Sequence, residues 1–207
     1  MDFIGFHRVR ACIIFDGQTI FIVFKGSDSI GDWISNISKY TDSFVNVPAK
    51  PFLDKGNCVQ IFYSCYSALK KDVRKKVSNF VNKNPNADIH ITGHSLGGGM
   101  ALLCCSDFFN NQLAGYQNIK SLITFSQPKI VNSKFKSRFN ELTKGRLNYK
   151  RFVTATGRHN DFVTTQYVDM KHLNASEKLK CNTHKTRVEI HKIKQYVKSI
   201  QDYQEGA

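Results

Sequence analysis

The feature that most constrains the fold is a short apolar run that ends in Gly-His-Ser-Leu-Gly. Residues 89–92 are typical of a buried strand, and residues 96 to about 110 are rich in Ala, Leu and Cys and predict a helix. Between them, Gly93 and Gly97 flank Ser95 two positions away on either side. A serine in a strained strand-to-helix turn needs small residues there, because one backbone passes close to another. The stretch therefore predicts an exposed serine at a strand-to-helix corner.

The composition indicates an ordinary folded chain. With 207 residues, 41% hydrophobic and 22% charged, we expect a single domain spanning residues 1–207. No apolar run approaches the length of a membrane-spanning helix, and residues 1–8 lack the basic-then-apolar layout of a secretory signal. We therefore expect a cytoplasmic protein, with peripheral contact to membranes as a further option.

The chain is strongly basic, with 30 Lys+Arg against 16 Asp+Glu and a net charge of +14. Many of these charges lie in residues 70–76 and 178–198. Such a surface fits an anionic membrane or lipid-droplet surface, at roughly 1 kcal/mol per basic residue near it. A solvated face with no partner explains the charge equally well. Nucleic acid ranks below both, because no nucleic-acid-binding motif accompanies the charge.

The cysteines predict reduced thiols in the core rather than disulfides or a metal site. None of the six shows metal-ligand spacing, and one adjacent pair falls in a predicted helix where the two would hardly be bridged. The six are Cys12, Cys58, Cys65, Cys104, Cys105 and Cys181.

The remaining elements alternate between strand and helix. Asp16-Gly17 separates two β-rich runs and predicts a hairpin, whose second run is apolar on both faces and should be a central strand. Apolar residues recur at helical spacing over residues 63–81. Further strands are predicted at residues 120–125 and 149–154, and a helix is predicted at residues 133–142. Residues 37–57 are expected to be an irregular connection that crosses between elements. This pattern is typical of a mostly parallel sheet with flanking helices, where catalytic groups gather at the carboxyl ends of strands.

The order of these motifs resembles the class 3 lipase family, the α/β-hydrolase family of fungal triacylglycerol lipases. The resemblance covers about residues 9–200 and implies an α/β-hydrolase fold. It rests on Ile-Val-Phe-Lys-Gly-Ser-Asp-Ser at 22–29 with Asp32-Trp33, Phe62-Tyr63, Ile-Thr-Gly-His-Ser-Leu-Gly-Gly at 91–98, Thr-Phe-Ser-Gln-Pro at 124–128, Asn-Asp-Phe-Val at 160–163, and a late His191 with Tyr196.

The chain departs from the family pattern at several positions. Lys25 and Ser27 stand where the family usually has Arg and Thr, and Ile61 stands where it has glycine. Ser126 occupies a position that is often glycine. The helical sequence that normally precedes the first strand is nearly absent, so we expect a shortened N-terminal region.

The resemblance implies a catalytic triad of Ser95, Asp161 and His191, in the chain order of nucleophile, acid and base. A serine hydroxyl needs a positioned imidazole to take its proton, and that imidazole needs a carboxylate to fix its tautomer. Asp161 alone would be read as a turn-capping residue. His184 is the alternative base, whereas His94 beside the serine is interpreted as structural support.

The resemblance also implies an oxyanion hole and a lid. The oxyanion donors would be the backbone N–H groups of Ser27, with its hydroxyl, and of Leu96. The lid would run from Asp28 to about residue 37 as a short amphipathic helix, with Trp33, Ile34 and Ile37 on its apolar face. Trp33 alone would be read as a core anchor of an ordinary loop. No metal or organic cofactor is implied.

The leading functional expectation is a serine carboxylic ester hydrolase, a triacylglycerol lipase that cleaves acyl esters at a lipid surface through an acyl-enzyme. Within the enzyme class, a phospholipase A1 or an esterase for soluble esters is the alternative. A catalytically silent lipid-binding protein is the alternative from another class. Nucleic-acid binding is a weak third possibility.

Overall fold

The secondary structure follows the chain as alternating strands and helices. The computed structural model describes residues 1–6, 9–27, 46–155, 170–173, 177–180, 191, 194 and 197. The strands are β1 (Asp2–Phe6), β2 (Val9–Phe15), β3 (Thr19–Phe24), β4 (Asn46–Pro48), β5 (Asn57–Val59), β6 (Asp88–His94), β7 (Ile119–Phe125), β8 (Asn148–Ala155) and β9 (Glu177–Lys180). The helices are α1 (Gln60–Lys83), α2 (Leu96–Asn110) and α3 (Ser133–Thr143), with a 3-10 turn at Tyr116–Asn118.

Within the described residues, a seven-stranded sheet in the order β1-β2-β3-β6-β7-β8-β9 forms the centre of the fold. The pairs β1–β2 and β2–β3 are antiparallel, whereas β3, β6, β7, β8 and β9 pair in parallel. The strand that leads to Ser95, β6, therefore lies between two parallel neighbours. This arrangement confirms the predicted α/β-hydrolase architecture with a mostly parallel central sheet.

The β2–β3 hairpin forms at the predicted Asp-Gly turn. The side-chain oxygen Oδ1 of Asp16 accepts hydrogen bonds from the backbone N–H groups of Gln18 and Thr19, at 3.0 and 2.8 Å. These bonds favour the charged carboxylate, so they lower the pKa of Asp16. In β3, alternate residues Ile20, Ile22 and Phe24 are buried. The strand is therefore anchored in the core along one full face.

Helix α1 buries the apolar stripe that the sequence predicts. Its buried residues include Tyr66, Leu69, Val73 and Val77, and the helix packs on β1, β2 and α2. It begins at Gln60, three residues before the predicted start, because β5 leads into it without a loop. At its end, the Asn84 side chain donates to the Phe80 carbonyl at 3.1 Å and caps the last turn.

Four strands were not predicted from the sequence. β4 and β5 form a two-stranded sheet within the segment expected to be irregular. Among the described strands, β1 and β9 lie at the two edges of the central sheet; Ile4 and Leu179 are buried, whereas Phe3 is 75% exposed. Such short edge strands carry little of the hydrophobic periodicity from which strands are predicted.

The described cysteines are free thiols. Cys58, Cys104 and Cys105 are buried, and Cys12 and Cys65 are partly buried. Burial disfavours the thiolate and raises the pKa of Cys58 to about 12 and that of Cys65 to about 11. Cys181 lies outside the described residues. Within the described parts of the chain, no helix has both the length and the apolar character needed to cross a membrane.

Candidate active site

Ser95 occupies the turn between β6 and α2. Its backbone has φ 55° and ψ −121°, a left-handed conformation that non-glycine residues rarely adopt. Its N–H donates to the Phe125 carbonyl at 2.9 Å, which ties the turn to the neighbouring strand β7. The sequence predicted an exposed serine, but Ser95 has 0% exposure, so this expectation was wrong. A histidine side chain that lies against its hydroxyl helps to account for the burial.

The two glycines of the motif are required by close backbone contacts. A Cβ atom added to Gly93 would lie 2.3 Å from the Gly97 carbonyl oxygen, and one added to Gly97 would lie 2.2 Å from the Phe24 carbonyl oxygen. Both distances are far below van der Waals contact. Helix α2 therefore leaves the sheet at an angle that only glycine permits, as the spacing of the motif indicated.

His191 lies against Ser95. Its Nε2 is 2.9 Å from the Ser95 hydroxyl oxygen, and the residue is fully buried. A serine hydroxyl and an imidazole nitrogen at this distance make the hydrogen bond that a general base needs before it takes the proton. The other two acid and base candidates, Asp161 and His184, lie outside the described residues.

Two further side chains hold His191 in place. The Nδ1 atom of its ring is hydrogen-bonded to the Ser126 hydroxyl. Its backbone carbonyl accepts from Nε2 of His94 at 2.7 Å, and the two histidine rings lie 4.9 Å apart. Because a carbonyl can only accept, this contact places a proton on Nε2 of His94. His94 thus has the supporting position that was predicted for it, next to the serine but facing the backbone of His191.

Ser126 was missed as a site residue. The only signal in the sequence was its departure from the glycine often found at this position. It follows the last residue of β7 and, like Ser95, has a positive φ, 51°. Its N–H donates to the Phe152 carbonyl at 2.9 Å. The residue is fully buried, so its hydroxyl is directed at His191 within the protein interior.

The segment after β3 passes beside Ser95, where the oxyanion hole is predicted. In the parallel β3–β6 pair, Phe24 stands opposite Gly93. A Cβ added to Gly26 would lie 3.6 Å from the Ser95 Cβ, so the chain that leads into Ser27 runs against the serine. Leu96 is the first residue of α2, at the positive end of its helix dipole. These placements are compatible with the oxyanion donors, which stay a prediction.

The predicted lid residues lie outside the described residues. They are Asp28, Trp33, Ile34 and Ile37.

A buried polar cluster joins α1 to the helix that follows Ser95. The Asp107 carboxylate has no exposure and accepts from the Tyr66 hydroxyl at 2.8 Å, from Arg74 Nε at 2.8 Å and from Asn111 Nδ2 at 2.8 Å. Arg74 Nη2 also contacts the second carboxylate oxygen. Burial raises the pKa of Tyr66 well above its usual value. The cluster neutralises a buried charge in α2 and fixes the two helices against each other.

No candidate metal site accompanies this arrangement in the described part of the chain. Among those residues, no group of three or more His, Cys, Asp and Glu side chains is arranged to hold a metal ion.

A mostly parallel sheet with a serine in a glycine-flanked strand-to-helix turn defines the α/β-hydrolase fold. Within that class, the family model described as lipase (class 3) matches residues 21–170. The chain therefore belongs to the class 3 lipase family, which confirms the resemblance seen in the sequence.

The chain is similar to several fungal lipases. It is 30% identical over 118 residues to a lipase of Rhizomucor miehei, across 57% of this chain and 31% of that sequence. It is 28% identical over 117 residues to a secreted mono- and diacylglycerol lipase A of Penicillium cyclopium, across 56% of this chain and 35% of that sequence. The matched region thus spans about a third of each relative.

A solved structure shares the fold. The Rhizomucor miehei triacylglyceride lipase superposes with a TM-score of 0.67 and 27% sequence identity, across 84% of this chain and 62% of that one.

Proposed function

We propose that the chain is a serine carboxylic ester hydrolase that cleaves acylglycerols at a lipid surface. The observation that carries the proposal is the 2.9 Å contact between Ser95 Oγ and His191 Nε2 in a glycine-flanked turn. Support for the substrate class comes from the relatives, which are a triacylglyceride lipase and a mono- and diacylglycerol lipase.

The reaction begins with proton transfer from Ser95 to His191. As His191 Nε2 takes the proton, Ser95 Oγ forms a bond to the ester carbonyl carbon and the carbonyl oxygen becomes negative. The tetrahedral intermediate collapses, the bond to the alcohol oxygen breaks, and His191 returns the proton to that oxygen. Water then repeats the sequence on the acyl-enzyme, releasing the fatty acid and restoring the Ser95 hydroxyl.

The remaining roles in the proposed reaction come from the family pattern. Asp161 would stabilise the imidazolium form of His191, and the Ser27 and Leu96 N–H groups would donate to the developing oxyanion. The first turn of α2 adds a favourable dipole beside that charge. Loss of one such donor typically costs about 3 kcal/mol in the transition state.

Fatty-acid release from tributyrin, followed through the solubility limit of the substrate, tests the proposal. We expect a rate that rises when droplets form and falls at least about 1000-fold in Ser95→Ala, because the nucleophile is lost. Ser106→Ala is the matched control: Ser106 is also buried, but its hydroxyl bonds the Leu102 carbonyl at 2.8 Å and lies in α2 away from the turn.

Other outcomes of this assay separate the alternatives. A rate that saturates below the solubility limit and still depends on Ser95 indicates an esterase for soluble esters. Preference for phospholipid over triglyceride indicates a phospholipase A1. If wild type and Ser95→Ala are equally inactive although folded, the enzyme proposal is wrong and the lipid-binding alternative replaces it.

We also propose that the protein docks on anionic lipid surfaces. The net charge of +14 supports this proposal, and exposed lysines such as Lys71 and Lys75 lie along α1. Each basic residue near such a surface contributes about 1 kcal/mol, so a few of them suffice for reversible binding.

A further inference from the structure

Strand β6 places the His94 side chain on the face of the sheet opposite helix α2. Side chains alternate along a strand, and in β6 Ile91 and Gly93 are buried whereas His94 is partly buried. Gly93 faces α2, because a Cβ atom added to it would lie 2.3 Å from the Gly97 carbonyl oxygen. His94 therefore leaves the sheet on the other face, one residue before Ser95.

His94 donates a hydrogen bond to the backbone of the residue that contacts Ser95. Its Nε2 lies 2.7 Å from the His191 carbonyl oxygen, and the two ring centroids are 4.9 Å apart. A carbonyl oxygen can only accept, so Nε2 of His94 carries a proton in this contact. The bond forms equally with a neutral His94 protonated at Nε2 and with the doubly protonated ring.

Two contacts thereby join the strand end at Ser95 to His191. The Ser95 hydroxyl oxygen lies 2.9 Å from His191 Nε2, and the preceding residue, His94, bonds the His191 carbonyl. The contact at the ring sets the distance between the two reacting atoms, and the contact at the backbone sets the point from which the ring extends. Adjacent residues of β6 and its turn therefore hold both ends of the same histidine.

Gly26 packs against His94. A Cβ atom added to Gly26 would lie 2.8 Å from the His94 carbonyl oxygen and 3.4 Å from its Nδ1 atom. The chain that leaves β3 toward Ser27 thus runs directly along His94. Because His94 contacts both this segment and the backbone of His191, its own ring is held in place by the fold.

We propose that His94 is a positioning residue for the reaction of Ser95: its Nε2–H group holds the His191 backbone at the place from which the imidazole reaches the serine hydroxyl. The catalytic consequence rests on the proposed function, whereas the hydrogen bond is a property of the folded chain. This role goes beyond support of the turn, since it places the base. His94 exchanges no proton with the substrate, because the bonded nitrogen keeps its proton throughout.

The variants His94→Gln and His94→Met test this role. Both lose the ring together with every other contact that the ring makes, and the two new side chains have nearly the same length. Only glutamine places an N–H donor near the former Nε2 position, so the difference between the variants reports the donated hydrogen bond. His90→Gln and His90→Met are the matched controls, because His90 lies on the same face of β6 but contacts the Ser121 hydroxyl, at 2.6 Å.

The first measurement requires no enzymatic activity. Long-range ¹H–¹⁵N correlation spectra of the wild-type protein, assigned by comparison with His94→Gln, identify the protonated nitrogen of His94. We expect a proton on Nε2 that exchanges slowly with water, because it is bonded to the His191 carbonyl. A His94 ring protonated only at Nδ1 overturns the proposal, even if the protein is an active ester hydrolase.

The second measurement is ester hydrolysis by the folded variants, with the rate of Ser95 labelling by a fluorophosphonate beside it. We expect kcat to fall on the order of 100-fold in His94→Met with KM little changed, because misplacement by about 1 Å costs that much. His94→Gln should retain most of the wild-type kcat, since it restores the donor. The two His90 variants should not differ from each other.

Equal losses of kcat in His94→Gln and His94→Met contradict the proposal, because the donated hydrogen bond would then have no effect on the reaction. A rise in KM with kcat unchanged contradicts it as well. If the wild-type protein neither hydrolyses esters nor is labelled, the proposed function fails and the positioning role fails with it. The first measurement still shows in that case whether the hydrogen bond forms.

Discussion

Two strained serines meet one histidine at the carboxyl edge of the sheet. A positive φ raises the conformational free energy of a serine. It occurs at both Ser95 and Ser126, and each hydroxyl contacts a ring nitrogen of His191. Gly93 and Gly97 make the geometry possible, since any side chain there would overlap a backbone carbonyl. At the scale of the residue, close packing of backbones is therefore what creates the site.

Gly97→Ala tests this packing argument. The new Cβ would lie 2.2 Å from the Phe24 carbonyl oxygen, and we expect a loss of about 3 kcal/mol or more in the free energy of unfolding. Gly98→Ala is the comparison, because its Cβ would lie 3.2 Å from the Gln127 Cβ, 3.3 Å from the Gly93 carbonyl oxygen and 3.4 Å from the Gln127 Cα, which requires much smaller shifts, and helix propensity favours alanine. Urea denaturation measures both. Equal stability of the two variants would contradict the argument.

Some of these residues are predictable from the sequence and others are not. Ser95 was predicted because the glycines two positions away on either side indicate a tight strand-to-helix turn. His191 was predicted because it lies late in the chain, in a segment that resembles the family's terminal histidine. Ser126 was missed because a serine in a strand-end turn has many ordinary explanations. Only the fold brings it to a residue 65 positions away. The burial of Ser95 was also not predicted, because it depends in part on the contact with His191, which lies 96 positions away in the chain.

At the scale of the element, α1 and α2 are fixed to each other by a buried charge. Apolar periodicity predicted α1 closely, and its buried stripe is the one expected. The Asp107 cluster escaped prediction, since Tyr66, Arg74 and Asp107 are joined only when the two helices pack. The strands β1 and β9 were not predicted for a related reason. Each is stabilised by pairing with a neighbouring strand rather than by a pattern in its own sequence.

Arg74→Leu tests the role of this cluster. Removal of the guanidinium leaves the fully buried Asp107 carboxylate without its cation, while the Tyr66 and Asn111 donors remain. Because Arg74 is a third exposed, at 33%, we expect a loss of about 2 kcal/mol, below the range for a fully buried pair. Lys75→Leu, one residue along on the exposed face, should change the free energy of unfolding by less than about 0.5 kcal/mol. Thermal and urea unfolding that show no difference between the two variants would refute the assigned role.

At the scale of the whole molecule, the proposed function combines a serine site with a basic surface. The described sheet places Ser95 at the carboxyl ends of β3, β6 and β7, where α/β sheets commonly bind their ligands. A net charge of +14 would favour the proposed docking on anionic lipid surfaces. The net charge follows directly from the composition, but the composition does not identify a partner that would bind to this charge.

Vesicle co-sedimentation tests the surface proposal. We expect binding to phosphatidylserine-containing vesicles at low salt and release at about 0.5 M salt, where screening is strong. Binding to purely zwitterionic vesicles should be weaker. The double variant Lys71→Gln and Lys75→Gln should reduce binding to the anionic vesicles, since both lysines are exposed on α1. Equal binding to both vesicle types, or indifference to salt, would contradict an electrostatic docking surface.

The most direct test of the central claim is covalent labelling by a fluorophosphonate, with the modified residue located by peptide mass spectrometry. We expect one adduct, on Ser95, which forms at an unchanged rate in Ser106→Ala. In folded His191→Gln the rate should fall about 100-fold or more, because no imidazole remains to take the serine proton. Folded wild-type protein that stays unlabelled at Ser95, or labelling of Ser95 at the same rate without His191, would contradict a serine activated by this histidine.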